Sequence, residues 1–411
     1  MRLLFGVHQF FPSHYTGTER LALEIAKQMQ RMGHSVTVLT YNPGQMEGSE
    51  IVDDWMTKRY EFQGVRVIAI RHRSPPEEYS FTIFDSGMQT MIDRILDKED
   101  INLLHILHPM RIGTVAKVAR QNGVPLVLTL TDFWLMCPKG IAVTHTGEVC
   151  LSSENSEKCV RECYGEAWKE RLARRLADTR ELLETAGCIV SATDSLRQVF
   201  EMSGLASGIR LIPYGEDYAG VKPNLREYSR KSEVTLGFLS TLQPHKGAHV
   251  LLEAYNIARK NNIALKIFGD HFGQIDYYRT LQRLAKNHKK TEFCGEYKYE
   301  DTPRIYNEID MIVVPSTWWE NSPLVLSRAL AHNVPAIVSN LGGMTEVVKD
   351  GENGFSFEVN NPESLAHVLR KIGDDPSLLN QLKKQIHRPP RIEEHAFEYE
   401  KIYMELGEGN K

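Results

Sequence analysis

The residues best suited to chemistry sit in one run, Val314-Pro315-Ser316-Thr317-Trp318-Trp319-Glu320-Asn321-Ser322-Pro323-Leu324-Val325-Leu326-Ser327-Arg328-Ala329-Leu330. It reads as a strand, a polar turn and a helix. Ser322 is of the type that caps a helix N-terminus, and Pro323 then falls in the first turn, where a missing N–H costs nothing. The unpaired amides of such a helix start, reinforced by the macrodipole, form an anion site that suits a diphosphate. Asn321, Ser322, Pro323, Leu324 and Val325 are expected around that anion. Glu320, just ahead of them, is expected to face whatever the diphosphate carries. Of Trp318 and Trp319, one is expected to pack and the other to face a ligand.

Two further groups of side chains stand out. Cys137, Cys150, Cys159 and Cys163 lie in a loop-like insert rich in Gly, Ser, Thr and charge. Four thiolates suit a tetrahedral structural zinc, but only Cys159 and Cys163 have compact ligand spacing; free thiols and a disulfide are the alternatives. Cys188 and Cys294 stand in apolar strand contexts and are expected to be buried. Lys169, Arg171, Arg174, Arg175 and Arg180, interleaved with Glu170, Asp178 and Glu181, read as a solvated helix face, with anionic lipid contact as the alternative.

The elements that must position these groups alternate regularly. Short β-branched runs at Leu3 to Val7, Val36 to Leu39, Val65 to Ile70, Ile101 to Ile106 and Pro125 to Leu130 are separated by helix-length amphipathic segments. One such helix runs from about Thr18 to Arg31 and stops at Gly33. That rhythm predicts a parallel sheet with crossover helices. It resumes at Val234 to Leu239, Leu265 to Phe268, Met311 to Val314 and Ala336 to Val338, after turn residues at Pro213-Tyr214-Gly215 and a polar, loosely packed connection over Asn224 to Ser232. Neither half has G-x-G-x-x-G after its first strand, which argues against dinucleotide chemistry. Beyond Pro389-Pro390, the segment 391–407 reads as an amphipathic helix with Ala396, Tyr399, Ile402 and Leu406 on one side. It could pack on either domain and is grouped with the first.

At 411 residues, 42% hydrophobic and 25% charged, the chain exceeds one ordinary core, and two domains of roughly 200 residues are expected. A net charge of −4 and the lack of a long basic run exclude nucleic acid as the expected partner. The opening apolar run is too short for a signal peptide, and no stretch reaches the roughly 18 apolar residues of a membrane span. Cytoplasmic residence is the expectation, at the inner membrane face if the acceptor is lipid-linked.

The run from Val314, with Asn333-Val334-Pro335-Ala336-Ile337-Val338 and Gly342-Gly343 to Glu346, resembles the retaining glycosyltransferases of family 4, and the resemblance covers nearly the whole chain. The family pattern is P-S, a short spacer, E, seven residues, E, then A. Pro315, Ser316 and Glu320 match, while Arg328 stands at the second glutamate. In the family the first acidic residue lies by the donor sugar and the second usually binds the nucleotide ribose. The turn Leu239 to Gly247 is similar to the family's phosphate-holding turn, with Lys246 matching, Thr241 at the arginine position and His245 an auxiliary donor. The loop Phe11 to Glu19 is similar to its glycine loop, of which Gly17 remains. His105 and His108 follow one strand and Thr131-Asp132 the next, as in relatives, where histidine often stands at Thr131.

The resemblance implies an α/β GT-B fold, two Rossmann-like domains with parallel sheets facing a central cleft. Residues 1–213 would bind the acceptor and 214–390 the nucleotide sugar. Glu320, Asp132, His108 and His105 form the implied catalytic set. Gly17, Thr241, His245, Lys246, Asn321, Ser322, Pro323, Leu324, Val325 and Arg328 form the implied donor set. The implied reaction moves a hexose from a UDP-sugar, with a GDP-sugar next in line, to a saccharide or lipid-linked acceptor of cell-surface polysaccharide or glycoconjugate synthesis. It retains configuration and requires no metal or cofactor, because Lys246 and helix amides stabilise the leaving diphosphate. Two other readings stay open: a nucleotide-sugar 2-epimerase, and a non-catalytic partner subunit that binds sugar nucleotide, suggested by Arg328, Thr241 and Thr131.

Overall fold

Short apolar runs and amphipathic helices close two separate sheets in the computed structural model, which describes residues 1–286 and 288–408. The first sheet contains β1 (Arg2–Val7), β2 (Ser35–Tyr41), β3 (Glu50–Val52), β4 (Trp55–Phe62), β5 (Val65–His72), β6 (Leu103–Ile106), β7 (Leu126–Leu130), β8 (Cys188–Ser191) and β9 (Arg210–Leu211). Their spatial order is β3-β4-β5-β2-β1-β6-β7-β8-β9. The second contains β10 (Val234–Leu239), β11 (Ile263–Phe268), β12 (Thr291–Gly295), β13 (Met311–Val314), β14 (Ala336–Ser339) and β15 (Gly354–Phe357), in the order β12-β11-β10-β13-β14-β15. All pairings of the second sheet are parallel. In the first, the antiparallel pairings are β3 with β4 and β4 with β5.

The parallel strands of each sheet reverse their direction of growth once. In the first the reversal falls between β1 and β6, and in the second between β10 and β13. At such a switch point the connections leave toward opposite faces, opening a crevice at the carboxyl ends of the two strands. The β10–β13 register sets Leu236 against Met311 and Gly237 against Ile312. Helices cover both faces of the second sheet, so alternate residues of β13 enter opposite cores: Met311 and Val313 in one, Ile312 and Val314 in the other. This double burial produces unbroken apolar strands rather than alternating ones.

The chain divides into two units, Met1–Asp217 with Pro390–Lys411, and Tyr218–Pro389. The outward passage thus comes at Asp217/Tyr218 rather than at the expected 213/214, and the return falls within the double proline. The helix Ile392–Glu408 belongs to the first unit, packed on the helix Gly17–Arg31. His34 Nε2 lies 3.0 Å from Glu400, and the Pro213 carbonyl accepts from His395 Nδ1 at 2.8 Å. In the core, His105 Nδ1 is 2.6 Å from the Tyr403 hydroxyl, and its Nε2 is 2.8 Å from Thr129 Oγ1. Thr129 Oγ1 in turn meets the Tyr399 hydroxyl at 2.7 Å.

Two expectations are corrected here. The connection Asn224 to Ser232 is pinned rather than loose: Arg226 Nη1 donates to both carboxylate oxygens of the buried Asp310, which also accepts from the Tyr228 hydroxyl at 2.6 Å. Lys383 Nζ donates to Asn224 and to the Arg226 carbonyl, so a segment polar in sequence is ordered by buried charge. Cys294 is partly exposed, because its strand β12 is the edge of the second sheet; Cys188 is buried.

Burial holds His105 down to about 3 and His395 down to about 4, against 6.5 for a free ring. Below pH 6.5 the unfolded chain takes up these protons and the folded unit does not. Stability of the first unit should therefore fall from about pH 6.5 to about 4, by ~1.4 kcal/mol per ring per pH unit at most. Tyr403→Phe should cost this unit about 1–2 kcal/mol by unpairing His105, and Tyr403→Ala about 3–5 kcal/mol. Hydrogen exchange of the β6 and β7 amides measures both.

Candidate active site

The chemistry of the second unit is built where β10 and β13 end side by side. After Leu239 the chain turns through Thr241 to Lys246 and enters the helix Ala248–Ala258 at Gly247. After Val314 it turns through Pro315 to Pro323 and enters the helix Leu324–Ala331. The two turns touch backbone to backbone: Gly247 has φ +75°, and a Cβ there would lie 1.8 Å from the Pro315 carbonyl oxygen. The Thr317 amide donates to the His245 carbonyl at 2.9 Å.

That contact brings Lys246 to Glu320. The Lys246 ammonium lies 2.6 Å from Glu320 Oε1, which also accepts from Ser316 Oγ and Trp318 Nε1, each at 2.8 Å. The ammonium sits 4.7 Å from the Trp318 ring centre, a cation–π contact. Burial alone would raise the Glu320 carboxyl; the ammonium, the Ser316 hydroxyl and the Trp318 indole together outweigh it and hold the group below 4.5. From the loop after β14, the Gly343 amide donates to the Glu320 carbonyl at 3.0 Å. A Cβ on Gly342 would lie 2.7 Å from that same oxygen and from the Trp319 ring. Trp318 thus joins the charged cluster and Trp319 packs against Gly342 in the loop after β14.

The next helix begins one residue later than expected. Its N-cap is Pro323 rather than Ser322, since φ −69° and ψ 116° at Pro323 are extended and no side chain caps the turn. Asn321 is buried, while Ser322, Pro323, Leu324 and Val325 are half-buried at the helix start. The first-turn amides therefore have no capping side chain, which is what an anion requires of them. Arg328, one turn further on, is buried. Its guanidinium stacks 3.6 Å from the Tyr299 ring centre and donates to Thr302 Oγ1 at 3.2 Å. His245 is held down to about 4, by burial first and by Lys246 second. It is neutral near pH 7, leaving Lys246 as the cation of its turn. Thr241 is half-buried, and its carbonyl accepts from the Gln243 amide at 2.9 Å.

In the first unit, the ends of β1, β6 and β7 gather a second cluster. His108 Nε2 lies 3.1 Å from Asp132 Oδ2, and Asp132 Oδ1 accepts the Trp134 amide at 2.8 Å. The His108 ring lies 4.1 Å from that of His8, and His8 Nε2 is 3.5 Å from Glu19 Oε1. Thr16 Oγ1 donates to Glu19 at 2.6 Å, and Gly17 opens the helix just behind. His8 and Glu19 are additions that sequence reasoning missed. Glu19 looks like an ordinary first-turn acid, and only its position two residues after Gly17 pointed to this loop. His105 is a correction: it is fully buried, bonded to Tyr403 and Thr129, and is a core histidine rather than a catalytic one.

Cys137, Cys150, Cys159 and Cys163 are free thiols that line one small cavity. Among the described residues, no three His, Cys, Asp or Glu side chains are already drawn together as a metal cage.

Residues 16–215 match the family "Glycosyl transferase 4-like domain" and residues 223–388 match "Glycosyl transferases group 1". Spore coat protein SA of Bacillus subtilis (strain 168) is 30% identical over 92% of this chain and 90% of its own length. The chain belongs to the family 4 glycosyltransferases. The D-inositol 3-phosphate glycosyltransferase of Rhodococcus erythropolis is 24% identical over 67% of this chain, and the match spans 66% of that relative's length. In structure, Anabaena HepE in complex with UDP and glucose superposes with a TM-score of 0.69 at 17% identity, covering 98% of this chain and 99% of that one. The shared fold is GT-B.

For this glycosyltransferase, Lys246→Ala should destabilise the second unit by about 3–5 kcal/mol, because it strands a buried carboxylate. Lys246→Ala combined with Glu320→Ala should cost about 1–3 kcal/mol less than the two singles together. The pair's contribution is present above pH 4.5 and should fade as pH drops through the depressed Glu320 value. A double-mutant cycle by urea unfolding at pH 7 and at pH 4 reads all three outcomes.

Proposed function

We propose that the chain transfers a hexose from a UDP-sugar to a saccharide or glycolipid hydroxyl, with retention of configuration and without a metal ion. The observation that carries this reading is the Lys246–Glu320 pair at the β10/β13 switch point, beside the uncapped start of the helix Leu324–Ala331. An ammonium has three N–H groups, and Glu320 occupies one direction, leaving donors for phosphate oxygens. With the helix amides they form a fixed positive environment that needs no reorganisation as charge builds on the leaving group. Glu320, held ionised, offers acceptor capacity to sugar hydroxyls. The HepE complex, with UDP and glucose, supports a uridine nucleotide and a hexose for this chain as well.

In the proposed step the acceptor oxygen forms a bond to the anomeric carbon on the face from which the diphosphate departs. The anomeric C–O bond breaks, its electrons leave with the diphosphate, and the acceptor proton passes to a leaving phosphate oxygen. His108, aligned by Asp132, would orient the acceptor in the first unit. Arg328, stacked on Tyr299, favours a second reading, in which sugar nucleotide is bound but not turned over.

A thermal-shift series with UDP-glucose, GDP-mannose and ADP-glucose separates the donors. The matching donor at 100 times its Kd should stabilise by about 2.7 kcal/mol. Turnover in EDTA should equal turnover in magnesium, and Glu320→Ala should lower kcat by about 100-fold or more. A flat response to every donor overturns the enzyme reading; binding without donor consumption selects the second one.

A further inference from the structure

The insert between 137 and 163 has little to hold it together. Ala142 is its one fully buried apolar side chain among the described residues. Its regular structure amounts to the short helix Glu157–Cys159, a wide turn over Val160–Tyr164 and an isolated bridge from Val143 to Val149. Ala142, Glu154, Asn155 and Ser156 all carry positive φ, from 48° to 76°. Such a backbone is unfavourable for side-chain-bearing residues and persists only where the surroundings over-determine it. A segment this poor in core is normally stapled by metal or disulfide.

The thiols are where the staple belongs. Cys137, Cys150, Cys159 and Cys163 come from separate stretches of the insert, yet all four line a single cavity of about 20 Å³, the size of one small occupant. Lys139 and Lys158 line it too, and no carboxylate does. Beyond that lining, Arg175 is 4% exposed, and its guanidinium donates to the carbonyls of Phe81, Leu135 and Trp134. These three bonds go to neutral carbonyls, which leave much of its charge unbalanced although Asp132 also acts on it. Cys137 and Cys159 are among the groups that act on it electrostatically.

We propose that Cys137, Cys150, Cys159 and Cys163 bind one zinc ion as a tetrathiolate site whose negative charge is balanced by Arg175, Lys139 and Lys158. Four thiolates on a divalent ion leave two negative charges, and the cations around the cavity supply the counter-charge. The four thiols share the cavity lining without forming a closed cage among the described residues; the ion displaces four protons and draws the sulfurs to about 2.3 Å. The site has a structural task. Arg175 grips the backbone at Trp134 and Leu135, two and three residues after Asp132, and the Phe133 carbonyl accepts from the Cys137 amide at 2.7 Å. Metal and arginine together fix the loop that aims Asp132 at His108.

The test is made on the full chain, purified under reducing conditions without chelator, and does not use transferase activity. Elemental analysis should find about one zinc per chain, released when a mercurial titrates the thiols. Exchange with cobalt(II) should give the visible bands of a tetrahedral tetrathiolate. Cys159→Ser should lower metal content and speed tryptic cleavage after Lys158 and Arg161 by about 10-fold or more. Wild-type protein treated with a strong chelator should show the same cleavage, which covers a variant that fails to fold. Metal content below about 0.1 per chain with no uptake of added zinc overturns the proposal, as does a disulfide among these cysteines by mass spectrometry of unreduced protein. Failure of the donor-binding experiment would leave these outcomes unaffected.

Discussion

The main-chain approach at Gly247 governs the second unit. The Pro315 carbonyl occupies the space a side chain would need, so the turns after β10 and β13 share one surface rather than standing apart. Everything polar about the site follows. A carboxylate as buried as Glu320 would ordinarily protonate, and it stays charged because an ammonium, a hydroxyl and an indole N–H reach the same oxygen from those two turns. The β14 loop adds a second close approach at Gly342, which holds the Glu320 backbone from the far side. Three neighbouring strands of one parallel sheet thus converge on a single residue. A parallel sheet is suited to this, because it delivers every strand end to the same edge.

The first unit uses its own switch point differently. There the ends of β1, β6 and β7 are joined through side chains, the rings of His8 and His108 and the carboxylates of Glu19 and Asp132. Burial keeps His8 well below its ordinary value, with His108 and Arg111 adding to the effect, so its ring is neutral near pH 7. One unit therefore gathers an ammonium–carboxylate pair beside helix amides. The other gathers imidazole rings and carboxylates, with His8 neutral and His108 held against Asp132.

Much of this was legible in the sequence. The β13 turn and helix could be read because an apolar run, a polar turn and Pro323 are local signals, and Glu320 sits inside them. Lys246 needed the strand before it and the glycine after it. The strands β3 and β4 escaped notice because they are an antiparallel edge: Trp55-Met56-Thr57-Lys58-Arg59-Tyr60-Glu61-Phe62 buries few side chains and carries charge on both faces. His105 misled for the opposite reason. Its type suggests chemistry, and only the arrival of Tyr403, 298 positions away, shows that it serves the core. Arg175 misled likewise, since a basic run gives no sign of which member turns inward. Long-range partners of polar side chains leave no periodicity to read.

The route of the backbone adds a constraint on biogenesis. The second unit is threaded as an excursion out of the first, which resumes only at Pro390. A ribosome working from the amino end completes every strand of the first sheet long before it makes the helix that fills the hydrogen-bonding needs of His105 and Thr129. The excursion, contiguous in sequence, can reach its native state while the earlier unit is still waiting. The portion synthesised first is thus the last to mature, and through that interval its buried histidine has no native partner for Nδ1. Chaperone dependence and sensitivity to premature termination should concentrate there, in the half of the molecule that carries Asp132 and the cysteine insert.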